Sequence, residues 1–308
     1  MGRYVLRRLL QLVPVFLGTT FLIYLLVWIV PGDPFAGKCG ERACPQSYID
    51  AMRAKFNLDD PFIVQYGKYL WNLVRGDFGQ TYNGIPVAEL LTNAAPITMR
   101  LALIAVLVSG LIGMTAGVLT GLRGRGFLDS LVLVSTLFLI SIPTFVTGYV
   151  LQIVLGLKLH LINPTVSSQA TFGELIVPGF VLGSLSMAYV TRLTRTSIAE
   201  NRRGDYIRTA VAKGLTPQRV VGVHLLRNSV IPVITFLGTD FGSLMGGAIV
   251  TEAVFNINGV GGLVYRAIVT KEGGTVTAVV TLLVLVYLLM TLVVDLVYAV
   301  LDPRIRYD

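Results

Sequence analysis

Six long apolar stretches, near residues 9–31, 98–121, 129–157, 174–192, 229–251 and 276–301, constrain this chain more than any single motif in it. A helix needs roughly 20 mostly apolar residues to cross hydrocarbon, and each stretch has about that length. Because no water reaches a bilayer interior, the N–H and C=O groups of each segment must pair within it, which selects helix over open strand. Of the 308 residues 54% are hydrophobic and 14% charged, too apolar a balance for a soluble domain of that size. The expected fold class is an all-α integral membrane protein of about six transmembrane helices, with both termini on one side.

Lys and Arg give the orientation. Arg3, Arg7 and Arg8, then Arg123 and Arg125, then the eight basic residues from Arg192 to Arg227, then Arg304 and Arg306, all fall on one side in short segments. That side is expected to be cytoplasmic. The rest of the 25 are spread over a longer opposite side dominated by residues 32–97. Three regions follow: 1–31, an N-terminal segment and span one; 32–97, a small folded extracytoplasmic cap; and 98–308, a five-span core with a cytoplasmic loop at 193–228. The first stretch is too long for a signal-peptide core, and no small-x-small cleavage pattern follows Val30. The net charge of +8 is laid out as topology requires, with no continuous basic face for nucleic acid. Topology likewise accounts for Arg192, Arg195, Arg202 and Arg203 without a need for lipid-phosphate contacts.

A charged island interrupts the apolar pattern between spans four and five. Asp205 is a good N-cap, and behind it Tyr206, Ile207, Ala210 and Val211 share one helical face while Arg208, Thr209 and Ala212 point away. Lys213 and Gly214 end the helix, and after Leu215 a second one restarts with Thr216 as N-cap and Pro217 in its first turn. Helix, tight corner and helix make a shape that inserts into a partner's groove.

This island resembles the EAA loop of ABC-importer permeases, which docks onto a cytoplasmic ATPase. Arg208-Thr209-Ala210 stand at the Glu-Ala-Ala positions and Gly214 at the glycine, so the acidic residue is missing. Arg-Thr-Ala, then Ala212-Lys213-Gly214, then Arg227-Asn228-Ser229-Val230-Ile231-Pro232 resemble the dipeptide/oligopeptide/nickel branch of the family. So do Pro31-Gly32-Asp33-Pro34, Gly76-Asp77-Phe78-Gly79, Pro96-Ile97-Thr98, Thr251-Glu252-Ala253-Val254-Phe255 and Gly259-Val260-Gly261, which makes the resemblance nearly end to end. It implies the type I importer permease fold in a bacterial inner membrane. It also implies a second, homologous permease chain, two ATPase subunits or domains below, and a solute-binding protein that delivers cargo to the cap and the 252–275 loop. ATP and Mg would sit on the ATPases, and this chain would bind no cofactor. Di- or oligopeptides are the expected cargo, with a nickel chelate or haem as alternatives.

Span five and the residues beyond it are the expected transport path. Gly238, Gly242 and Gly246 form a small-residue stripe for close helix packing, as do Gly113, Gly117 and Gly121 in span two. Asp240 projects opposite the span-five stripe with Phe236, Ser243 and Gly247, and an ionisable residue within a span is either functional or a packing carboxyl. Glu252, at the outer end, joins these pathway candidates. The two cysteines, Cys39 and Cys44, both lie on the oxidising side, where a short-loop disulfide is reasonable. The two histidines, His160 and His224, are expected on opposite sides of the membrane, and no metal-ligand cluster appears. Neither a G-x-x-x-x-G-K-[ST] loop nor a nucleophile motif is present, so energy and chemistry are expected on partner subunits. An ion-coupled secondary transporter would need a coupling-ion site in paired broken helices, and no duplicated half is visible.

Overall fold

The computed structural model describes residues 2–29, 44–55, 57, 59–124 and 126–301. Twelve helices run through them: α1 (Gly2–Ile29), α2 (Gln46–Lys55), α3 (Phe62–Val74), α4 (Val87–Arg123), α5 (Phe127–Ser141), α6 (Thr144–Leu151), α7 (Phe172–Asn201), α8 (Asp205–Ala212), α9 (Pro217–Arg219), α10 (Arg227–Phe255), α11 (Val260–Val269) and α12 (Gly273–Leu301). A π-helical segment, Gln152–Lys158, extends α6, and another, Val220–Leu226, joins α9 to α10. Five apolar runs long enough to cross a membrane coincide with the expected spans, and the bent pair α5 and α6 supplies the sixth.

That pair corrects one expectation. The stretch 129–157, read as one continuous span, is two helices meeting at 99°. Pro143 disfavours the helical region for the residue before it, and Ile142 is extended at φ −94°, ψ 124°. The 252–275 region, expected as a loop, contains the half-buried helix α11. Helix α4 begins at Val87, well before the expected start at 98, and carries Pro96 without a break.

Close packing of α4 on α7 centres the bundle, and glycines on both helices permit it. A Cβ added at Gly113 would meet Val190 Cγ1 at 2.8 Å, one at Gly117 would meet Thr194 Cβ at 2.5 Å, and one at Gly121 would meet Ile198 Cβ at 2.9 Å. From the other side, a Cβ added at Gly179 or Gly183 of α7 would meet Ile104 Cγ2 at 2.5 Å or the Ala105 carbonyl oxygen at 2.6 Å. Lipid tails are as apolar as the side chains, so such contact, rather than hydrophobic burial, holds spans together. The span-two stripe is therefore a packing stripe, as expected. Gly238 and Gly242 do the same for α10 against Val294 and Tyr287 of α12, but Gly246 has open space beside it and does not belong with them.

Candidate functional site

The island at 205–217 folds as a helix, a corner and a second helix. Gly204, extended at φ −66°, ψ 145°, takes the N-cap position, and Asp205 sits in the first turn of α8, one place later than expected. A Cβ at Gly204 would strike the Tyr206 ring at 2.6 Å, so only glycine leaves room for that ring to reach back and donate its hydroxyl to Asn201 Oδ1 at 2.7 Å. At the other end Gly214 has φ +76°. The Gly214 N–H donates to the Val211 carbonyl at 2.9 Å and the Leu215 N–H to the Ala210 carbonyl at 3.3 Å, a Schellman closure that uses the left-handed glycine. Thr216 is extended ahead of Pro217, and α9 runs through its π-helical turn straight into α10.

Only part of the expected apolar face of α8 is buried. Ile207 and Ala210 enter a small core with Ile198 of α7, Val220 and Leu225, flanked by Val118 and Leu122 of α4 and by Leu215. Tyr206 and Val211 are exposed at 39% and 60%, beside exposed Arg208, Thr209 and Lys213. The corner thus has a seat on the ends of α4 and α7 and on the π-helical segment leading into α10, and presents a mixed apolar and basic outer surface. Arg208 and Asp205 are 3.6 Å apart, both exposed, a pair too solvated to stiffen the helix much.

Above this seat the arginines assigned to topology make specific bonds. Arg195 of α7 clamps Asp129 of α5 with two hydrogen bonds, Nε to Oδ1 and Nη2 to Oδ2, and Asp129 is buried. Arg202 Nη1 donates to the Leu122 carbonyl at the end of α4 at 2.8 Å, and Arg192 Nε to Thr136 Oγ1 at 3.3 Å. The signal for the clamp was an acidic residue, Asp129, at the start of an otherwise apolar run.

On α10, the side opposite the glycines meets α7. Phe236 lies by Tyr189 with ring centroids 6.3 Å apart, Asp240 lies toward Ser186, and Gly247 faces Leu182. Asp240 Oδ2 is buried without a hydrogen-bond partner. One side was expected to pack and the other to stay open; both have neighbours, α12 on one and α7 on the other. The open strip lies between them, at exposed Ser243, Gly246, Gly247 and Val250.

Glu252 is not on an open surface. It is fully buried, and its carboxylate accepts from the Thr98 hydroxyl of α4 at 2.6 Å and the Gly262 N–H at 2.7 Å. Thr98 Oγ1 in turn accepts from the Val260 N–H at 2.8 Å. A carboxylate at the first N–H groups of α11 satisfies donors that have no partner within that helix and complements its dipole. Gly259 stands so close that any Cβ there would collide with the carboxylate. Glu252 therefore ties α4, α10 and α11 together, a network whose only sequence signal was an acidic residue a few positions before Gly259-Val260-Gly261-Gly262. Cys44 is buried just ahead of α2, and its expected pairing with Cys39 falls outside the described residues. Among the described residues no group of His, Cys, Asp and Glu is placed to hold a metal ion.

Comparison with known proteins bears on the whole length. The family model for binding-protein-dependent transport system inner membrane components matches residues 113–307, and the model for the N-terminal part of such components matches residues 1–102. A probable peptide ABC transporter permease protein of Sinorhizobium fredii is 35% identical over 100% of both chains. A di/tripeptide transport system permease protein of Pseudomonas aeruginosa is 35% identical over 99% of each. A glutathione transport system permease protein of Escherichia coli O1:K1 is 35% identical over 100% of both.

Proposed function

The chain belongs to the binding-protein-dependent transport system inner membrane components, and we propose that as the permease subunit of an ABC importer it carries di- or oligopeptides into the cytoplasm. It is a multi-pass membrane component of a larger importer complex, a transport subunit and not an enzyme. Short peptides as cargo are supported by the relatives, whose names give di- and tripeptides and glutathione.

The observation that carries the mechanism is the seat of the 205–217 corner. Ile207 and Ala210 share one small core with the ends of α4 and α7 and with the π-helical segment that runs into α10, so a push on the corner displaces all three spans together. Arg202, bonded to the Leu122 carbonyl, and the Arg195–Asp129 clamp extend that rigid block to α5. In this reading two ATPase subunits, carrying ATP and Mg, close beneath the exposed Tyr206, Arg208, Thr209, Val211 and Lys213. Nucleotide shifts the transporter only through contacts that differ between its two states, and the corner is where such contacts form. A second, homologous permease chain faces the open strip of α10, where Ser243 and Gly247 line the path and Asp240 lies behind them. A solute-binding protein delivers cargo on the outer side, near the cap and α11. Both termini are cytoplasmic, as the distribution of Lys and Arg supports. Cys39 and Cys44 are joined in the oxidising compartment; quantitative alkylation of both thiols in native membranes would reject that pairing.

Gly214→Val is the direct test. A β-branched residue held at φ +76° carries about 1–3 kcal/mol of strain, which the corner relieves by changing shape. The variant should insert into the membrane normally, yet bind its ATPases weakly or hydrolyse ATP without uptake. Normal coupling would sink the assignment of the corner as the ATPase contact.

A further inference from the structure

Residues 62–74 lie in the region read from sequence as a water-exposed cap, yet α3 carries a continuous apolar arc on the side that faces away from the protein. Its inner face carries Phe62, Gln65, Tyr66 and Tyr69. Phe21 of α1 meets Phe62 and Tyr66 edge to face at 5.4 and 5.3 Å, and Tyr24 meets Tyr69 at 5.4 Å. The opposite arc holds Ile63, Val64, Trp71 and Val74, exposed at 68%, 45%, 59% and 82%, with Gly67 between them; exposed Lys68 and Asn72 flank it on one edge, and the Lys68 ammonium is drawn back to Asp60 ahead of the helix. A helix bathed in water on that arc would carry polar groups there.

Hydrogen bonds fix the level of α3 against the spans. The Tyr66 hydroxyl donates to the Leu17 carbonyl at 3.0 Å and lies 3.0 Å from Thr20 Oγ1, while the Tyr69 hydroxyl donates to Thr281 Oγ1 of α12 at 2.6 Å. The apolar runs of α1 and α12 end outward at Val27 and begin at Gly273, and a Cβ at Gly273 would meet Val27 at 2.5 Å, so those two ends are level. Leu17 and Thr281 lie ten and eight residues below that level, about 15 and 12 Å at a rise of roughly 1.5 Å per residue. Even allowing for the reach of a tyrosine side chain, α3 sits among the spans and not above them. Leu22 and Leu26 of α1, exposed at the same level, present the same kind of surface. At its C-terminal end the Arg75 guanidinium stacks over the Trp71 ring at 4.6 Å, the pairing of aromatic ring and cation found where a helix meets the headgroup layer.

We propose that α3 is a membrane-embedded helix whose Ile63, Val64, Trp71 and Val74 face contacts the acyl chains and headgroup boundary of the outer leaflet, anchoring the cap to the bilayer beside α1 and α12. Such contact is independent of which cargo the importer carries. The probe is Trp71 in the full chain with Trp28→Phe, reconstituted in phosphatidylcholine vesicles whose acyl chains are brominated either near the headgroup or near the chain ends. Emission should fall in both, more with bromine near the headgroup, and aqueous iodide should quench little. The Trp71→Phe chain, reporting Trp28 alone, gives the same answer by difference from the unsubstituted chain should the first variant fail to fold. Strong iodide quenching without bromolipid quenching would put the face in water and overturn the proposal. Repeating the measurement in the assembled importer, with 5-hydroxytryptophan in this chain only, addresses the other occupant: bromolipid quenching should persist, and its loss would put a partner protein on the face instead.

Discussion

Single side chains decide how much of this fold is held by polar contact inside an apolar body. Glu252→Ala removes the acceptor for the Thr98 hydroxyl and for the Gly262 N–H of α11, and each buried donor left unpaired costs roughly 1–3 kcal/mol. Glu252→Gln keeps one acceptor oxygen and should lose less. Thermal unfolding of the purified chain should therefore rank wild type above Gln above Ala, and an Ala variant as stable as wild type would contradict the capping role. Glycines at apparently equivalent positions separate just as sharply. Gly117→Val drives a methyl-bearing carbon into Thr194 and the Thr191 carbonyl, an overpacking of about 1–3 kcal/mol or more that should cut the yield of folded protein. Gly246→Ala meets open space and should leave stability within about 0.5 kcal/mol, so any loss of uptake in that variant reports on the path rather than the fold. A periodic stripe in the sequence made Gly246 look like Gly238 and Gly242. Only the position of α12 tells them apart.

At the scale of elements, α8 divides its labour between seat and surface. Ile207→Ala empties part of the small core under the corner and should destabilise the chain by about 2–5 kcal/mol, whereas Val211→Ala, on the exposed side, should leave unfolding unchanged and reduce ATPase binding. Pull-down of the ATPase subunits alongside a melting curve distinguishes the two, and a Val211→Ala chain that binds ATPase normally would remove it from the contact surface. The existence of this helix, its glycine corner and its restart at Pro217 were legible because caps and breakers act locally. Continuity of α9 with α10 through a π-helical turn was not, since hydrophobic periodicity cannot distinguish a restart from a connection. The bend at Pro143 was missed for a related reason: composition across 129–157 is apolar throughout, and the break rests on the backbone of one residue before a proline.

As a whole molecule the chain is a transport subunit of an ABC importer. It carries no phosphate-binding loop, so purified alone and reconstituted it should neither hydrolyse ATP nor accumulate peptide under a proton or sodium gradient. With its partner permease and ATPases it should form a complex whose hydrolysis rises when loaded binding protein is added. Gradient-driven accumulation by the lone chain would overturn the importer reading. The sequence by itself determined the membrane placement, the number and approximate bounds of the apolar stretches, the helix–glycine corner–helix at 205–217 and the family, because these rest on length, local capping chemistry and motif spacing, all of which are properties of contiguous residues. Tertiary structure alone decided that Glu252 caps α11 and binds Thr98, that Arg195 clamps Asp129, that Asp240 is turned toward α7, and that α3 lies among the spans. Each of these joins residues far apart in the chain. In a body that is apolar almost everywhere, the partner of a buried polar group is set by which helices the glycines allow to touch, and that information is carried by the packing.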